Sequence, residues 1–149
     1  MDSNKIHRIY VRAKGRDTRA EVRKAKIKRL FPEFPVREVY LVSVYTIYKA
    51  FDTEELERIR LMLTNPVIEE SSVDRPLCPD SFSWSFEIGF LPGVTDNVGN
   101  TAAEAVCDLL GVKFETDEGI FSSELTFLEG ELGEADVWRI ASFFSNPLI

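Results

Sequence analysis

Two cysteines and one histidine are the whole stock of thiol and imidazole in this chain of 149 residues. A thiolate nucleophile needs a base to take its proton, and histidine is the usual one. Cys107 stands between Val106 and Asp108 in a run of helical apolar spacing, so it reads as a small helix residue. Cys78 lies between Pro76 and Pro79 and reads as a free thiol in a linker. His7 stands beside Arg8 at the start of a candidate strand and reads as solvated or hydrogen-bonded. No spacing joins the three into a catalytic set. Two cysteines also exclude a disulfide framework and a cysteine-built zinc site, and one histidine excludes a His-rich metal centre.

Phosphate is the next chemistry to weigh. Gly93-Val94-Thr95-Asp96-Asn97-Val98-Gly99 could open a helix, and helix N-termini attract anions. The Gly-Lys-Ser/Thr ending of a phosphate-binding loop is missing, and Asp96 would repel phosphate. A turn with an aspartate N-cap is the better reading. Asp117 and Glu118, or Glu129 and Glu131, could hold magnesium in principle, but they read as solvated loop carboxylates. Arg19, Arg23, Lys24, Lys26, Lys28 and Arg29 crowd one candidate helix. Such a helix can follow a phosphate backbone, yet no stacking aromatic accompanies it. A solvated or partner-facing helix is favoured, with Arg19, Arg23, Lys24 and Lys26 as candidate partner contacts. A nucleic-acid-binding module is the alternative.

Composition supports a folded chain: 44% hydrophobic and 29% charged residues are ordinary for a globular protein. No apolar run spans a bilayer, and the polar, basic N-terminus is unlike a secretory signal, so a cytoplasmic setting is expected. The net charge of −7 is unevenly spread. Residues 1–75 carry +4 and residues 76–149 carry −11. Complementary fields between the halves, or toward a partner, follow from that division.

The elements form a repeat. Asn65-Pro66-Val67-Ile68 returns as Asn146-Pro147-Leu148-Ile149. At the same offset Leu56, Ile59 and Leu63 fall on Val137, Ile140 and Phe144, at helical spacing. Each stretch predicts an amphipathic helix that proline ends. Asp52 and Glu55 predict a capping box for the first. Earlier in each half, Asp17 aligns with Asp96 and Leu30 with Leu110, with one residue of slippage. Val98, Ala102, Ala105, Val106, Leu109 and Leu110 make a helical stripe that Gly111 would cap. Thr18 and Glu21 suggest a capping box for its basic counterpart. Strands are predicted over Ile6 to Arg12, Val39 to Phe51, Val67 to Val73, Phe82 to Phe90 and Ile120 to Leu128. Residues 74–81, with two prolines, read as a linker. Each half thus reads strand, helix, one long or two short strands, helix, strand, and the second lacks its last strand. A fragment of a longer chain is expected on that ground.

Phe90-Leu91-Pro92-Gly93-Val94-Thr95-Asp96-Asn97-Val98-Gly99 resembles the strand-to-helix passage of PurS-like domains. Asn65 to Glu69 resembles their passage from last helix to last strand. PurS is the small subunit of phosphoribosylformylglycinamidine synthase, in purine biosynthesis. Two such units in tandem resemble the N-terminal region of the large, single-chain synthase. The first unit departs from the pattern: Lys14-Gly15-Arg16-Asp17 keeps Gly and Asp but loses Pro and Val.

That resemblance implies an α+β fold of two tandem units, residues 1–73 and 82–149, each a small, mostly antiparallel sheet under two helices, packed as a pseudo-dimer. Gly93, Asp96, Asn65, Pro66, Asn146 and Pro147 are the motif residues, with structural roles. The parent enzyme is an ATP-dependent carbon–nitrogen ligase that uses magnesium and glutamine-derived ammonia. The region itself is implied to be non-catalytic and to bind no cofactor. It would bridge the synthetase core and the glutaminase. An unfinished sheet edge also allows self-association into a homodimer.

Overall fold

Alternating apolar residues form the strands of this chain, and aspartates start three of its helices. The computed structural model describes residues 6–90 and 95–145. The elements run β1 (Ile6–Ala13), α1 (Thr18–Leu30), β2 (Val36–Tyr48), α2 (Thr53–Leu63), β3 (Glu69–Val73), β4 (Trp84–Gly89), α3 (Asn97–Leu110), β5 (Gly119–Gly130) and α4 (Glu134–Phe144). The protein is α+β. Among the described residues five strands make one sheet in the order β3-β1-β2-β5-β4, antiparallel throughout.

One sheet replaces the two small sheets expected from the repeat. The reason is the pairing of β2 with β5, which runs from Val36 opposite Gly130 to Tyr48 opposite Gly119. Two long strands, one per half, pair with each other and join the halves in one sheet. Ser43 lies opposite Glu124 near the middle of that ladder.

Period two divides the sheet into two faces. Val39, Leu41, Tyr45 and Ile47 of β2 point to one side, with their partners Leu128 and Ile120 of β5. All four helices pack there. One core cluster joins Ile9, Val11, Ile47 and Ile120 to Leu56 and Ile59 of α2 and to Ala102 and Val106 of α3. The other joins Val39, Leu41 and Leu128 to Ala20 and Ile27 of α1 and to Val137 and Ile140 of α4. Each cluster draws one helix from each half. Across the two clusters Ile9, Ile27, Ile47, Ile59, Leu128 and Ile140 are fully buried, each contributing about 1.5–3 kcal/mol.

The second face carries Tyr10, Val42, Val44 and Phe127, all buried without a helix above them. The linker covers them instead. Leu77 packs on this group, and the Phe82 ring meets Phe127 edge-on at 4.9 Å. The alternating run from Phe82 to Phe90 was expected to be one apolar face. Only Trp84 to Gly89 is strand; Phe82 turns to the linker side, and Phe90 is 53% exposed. Trp84, Phe86 and Ile88 are half-buried; among the described residues β4 pairs with β5 alone.

The helix ends follow short-range chemistry. Asp52 and Glu55 form the expected capping box on α2. Gly111 ends α3 in the left-handed region, at φ 65°. The α1 cap is Asp17, not Thr18: its carboxylate accepts from the Arg19 and Ala20 amides, and Thr18 is already helical. No helix among the described residues is long and apolar enough to cross a membrane.

Candidate functional site

The four expected partner contacts lie on α1, whose sequence is nearly all charge on its outer turns. Arg23 points inward over β5. Its guanidinium reaches Glu124 at 2.8 Å and the buried Thr126 hydroxyl at 3.2 Å, and it stacks 4.4 Å from the Phe144 ring centroid. Arg19 lies 3.9 Å from Glu124 and 3.4 Å from the Ser43 hydroxyl. Lys24 pairs with Glu38 at 3.1 Å. Lys26 lies 5.3 Å from the Phe143 ring centroid and 5.8 Å from that of Phe144. The basic half thus spends much of its charge on the acidic half. A cation over a ring face and a charge-assisted hydrogen bond hold α1 to β5 and α4.

Asp96, the N-cap of α3, is buried, and both of its carboxylate oxygens are engaged. Its Oδ1 accepts from the Gly99 amide at 2.8 Å and the Ser122 hydroxyl at 2.7 Å. Its Oδ2 accepts from the Ser122 amide at 2.6 Å. One carboxylate therefore caps α3 and ties it to β5. Gly99 completes the joint: a Cβ there would run into the Ile120 carbonyl and lie 2.6 Å from Asp96 Oδ2. The loop to which Gly93 belongs lies outside the described residues, as do Asn146 and Pro147.

Asn65 and Pro66 form the turn between α2 and β3. The Asn65 side chain accepts from the Val67 amide at 3.1 Å, and its carbonyl accepts from the Glu69 amide at 2.8 Å. The Pro66 carbonyl accepts from Lys14 Nζ at 2.5 Å. These bonds fix the turn between α2 and β3.

The thiols and the imidazole are apart in function. His7 is buried and gives its Nδ1 to Asp74 at 3.0 Å, while its Nε2 has no hydrogen-bond partner among the described residues. Asp74 sits at positive φ, 56°, where the chain leaves β3, and also accepts from the Arg8 amide at 2.7 Å. The pair anchors the start of the linker. Cys107 is half-buried on α3, and Cys78 is exposed, its carbonyl accepting from Arg12 at 2.9 Å. Glu118 accepts from Lys49 at 3.2 Å and from the Glu115 amide at 2.9 Å. Among the described residues no three acidic, histidine or cysteine side chains gather as a metal site.

The face opposite the helices holds a feature the sequence did not reveal. Arg8 of β1 reaches across β2 and β5 to Glu87 of β4, which also accepts from Ser123 at 2.5 Å. Burial pulls the Arg8 guanidinium down, but the Glu87 hydrogen bond and charge outweigh it and raise its pKa. Burial pushes Glu87 up, and the bonds from Arg8 and Ser123 bring it below the usual carboxylate range. Beside this strut Tyr48 and Phe121 meet edge-on at 5.4 Å, and among the described residues both are exposed, as are Ile6 and Phe90. An ion pair between strands three places apart has no spacing signal. Only the exclusion of both residues from the apolar alternation hints at it.

Two open clefts flank this face. One, of about 620 Å³, lies where β1 parts from β2, lined by Arg12, Lys14, Lys24, Glu38, Glu70 and Asp80. Its cations face carboxylates: Arg12 takes Glu70 and Lys24 takes Glu38. The other, of about 410 Å³, is lined by Tyr48, Phe121, Glu87 and Asp117. No family model and no curated protein matches the chain.

Proposed function

We propose that this chain is a docking and bridging region of the PurS-like kind, two tandem units packed as a pseudo-dimer at the N-terminus of phosphoribosylformylglycinamidine synthase. In that role it takes no part in the chemistry. It holds the synthetase core and the glutaminase together while glutamine-derived ammonia passes to the ATP-activated amide. ATP and magnesium act on the parent enzyme, not on this region.

The observation that carries the reading is the internal correspondence of the halves. Helices α2 and α4 are equally long and stand 81 positions apart, 53 to 134. Ser43 and Glu124, which face each other in the β2–β5 ladder, stand at the same offset, 43 to 124. A two-fold axis through that pair would exchange β1 with β4, α1 with α3 and α2 with α4. The aspartate caps of α1 and α3 agree with it. The motif residue Asp96 and the Asn65-Pro66 turn have structural roles, which also fits a scaffold.

The test is complementation. A synthase whose own N-terminal region has been removed should lose glutamine-dependent turnover and keep turnover with added ammonia. Adding the purified chain should restore part of the glutamine-dependent rate. The chain alone should release no ammonia from glutamine and hydrolyse no ATP. Turnover by the chain alone, or no rescue at saturating chain, would overturn the proposal.

A further inference from the structure

We infer that the cleft of about 410 Å³ on the face opposite the helices is a binding site for an organic ammonium cation, either a free alkylammonium ion or the ammonium of a lysine side chain. Such a site needs neither docking nor the synthase reaction.

This face already holds one cation and shows how it does so. The Arg8 guanidinium lies 5.3 Å from the Tyr10 ring centroid and binds the Glu87 carboxylate. A ring and a carboxylate together hold it. Toward the end of the sheet the same two ingredients recur. Register sets them there: Thr46 lies opposite Phe121, Tyr48 opposite Gly119, and Gly89 opposite Ser123. The Tyr48 and Phe121 rings meet at 84°, so they form a corner. Phe90 lines the same cleft, and Glu87 and Asp117 bring it carboxylates. Gly119 and Gly89 leave the corner open. A Cβ at Gly119 would lie 3.6 Å from the Phe121 ring, and one at Gly89 would lie 3.5 Å from the Ser123 Cβ.

The larger cleft differs in its charge. Tyr40 lines it, 81 positions before Phe121, the same offset as Ser43 and Glu124. There the chain supplies its own cations: Arg12, Lys14, Arg16 and Lys24 line the wall, and Arg12 and Lys24 meet Glu70 and Glu38. Among the described residues no lysine or arginine lines the smaller cleft. Arg8 answers Glu87 there, and Asp117 is exposed with no ion pair among the described residues. Perpendicular rings beside one unanswered carboxylate select a cation with an apolar shell. The rings take its methyl or methylene groups and the carboxylate takes its charge. A neutral ligand would leave Asp117 unanswered, and an anion would be repelled.

The test is a titration of the full chain at low salt, followed by NMR through the amides of Gly89, Phe121 and Ser123. Choline is the free-ion probe, and an end-blocked Gly-Lys-Gly peptide is the side-chain probe. Neohexyl alcohol is the neutral isostere of choline. At least one cation should bind with a dissociation constant of about 1 mM or tighter, about tenfold tighter than the alcohol. Tighter binding of choline would support a free ion as the ligand, and tighter binding of the peptide a side chain of a partner. Asp117→Asn should weaken the cation about fivefold and leave the alcohol unchanged. Gly89→Leu puts a side chain into the cleft and should abolish binding while the unfolding midpoint holds. Deleting residues 1–5 removes Lys5 and shifts the amino terminus, and should leave the affinity unchanged. A gain of about tenfold on that deletion would show that the chain fills its own cleft, and would overturn the assignment. No shift with either cation, equal affinity for choline and the alcohol, or full binding by Gly89→Leu would overturn it too.

Discussion

Helices α1 and α3 occupy equivalent places in the two halves, yet they are held by different forces. Helix α1 buries only Ala20 and Ile27, and it clings through Arg23 to Glu124, Thr126 and Phe144. Helix α3 buries Gly99, Ala102 and Val106, and it meets β5 through backbone contact and the Asp96 carboxylate. The contrast shows that one placement can be reached by two chemistries. Packing against backbone tolerates no added atom. Charge pairing at a half-exposed seam tolerates substitution and responds to salt.

Several measurements would break or sharpen that contrast. Asp96→Ala removes the α3 cap and both links to Ser122, leaving buried donors without acceptors. It should cost about 3 kcal/mol in urea unfolding, by the usual cost of a lost cap and unpaired buried groups. The matching Asp17→Ala should cost about 1 kcal/mol, because Asp17 caps α1 and ties it to no strand. Equal losses at the two caps would erase the contrast.

Gly99→Ala adds a methyl where the Ile120 carbonyl already stands, and should cost about 2 kcal/mol despite alanine's better helix propensity. A stabilised variant would show that α3 approaches β5 less closely. Arg23→Ala should cost about 1–2 kcal/mol through its Glu124 bond and its place over Phe144. Raising salt should shrink the Arg23→Ala effect and leave the Gly99→Ala effect unchanged. Parallel salt responses would contradict the assignment of forces.

The smallest effect concerns pH. Glu87 is held below its ordinary range, so it contributes stability above its unfolded value near 4.3. That contribution should fade as pH falls through the folded value. The wild-type chain should therefore lose more stability than Glu87→Gln between about pH 5 and 3. Identical acid profiles would remove Glu87 from the account.

Local signals were legible in the residues, and long-range ones were not. The Asp52–Glu55 capping box, the Gly111 cap, the Asp96 N-cap and the helices ahead of Asn-Pro follow from chemistry within a few residues. Thr18 was displaced as the α1 cap because Asp17, one position earlier, competes for the same amides and accepts more strongly. Phe82 and Phe90 continue the alternation of β4 in sequence, but the strand ends at Gly89 and the linker draws Phe82 to the other face. The merger of two expected sheets into one depends on β2 meeting β5 at long separation. The Arg8–Glu87 strut depends on it in turn. The charge division left open whether the halves meet each other or a partner, and Arg23 with Glu124 joins the halves.

The most direct test of the docking claim is a calorimetric titration of the purified chain into a synthetase core and a glutaminase that lack it. The account predicts saturable binding of about micromolar affinity or tighter, with a negative heat-capacity change from buried apolar surface. Absence of heat and of co-migration with either partner would contradict it.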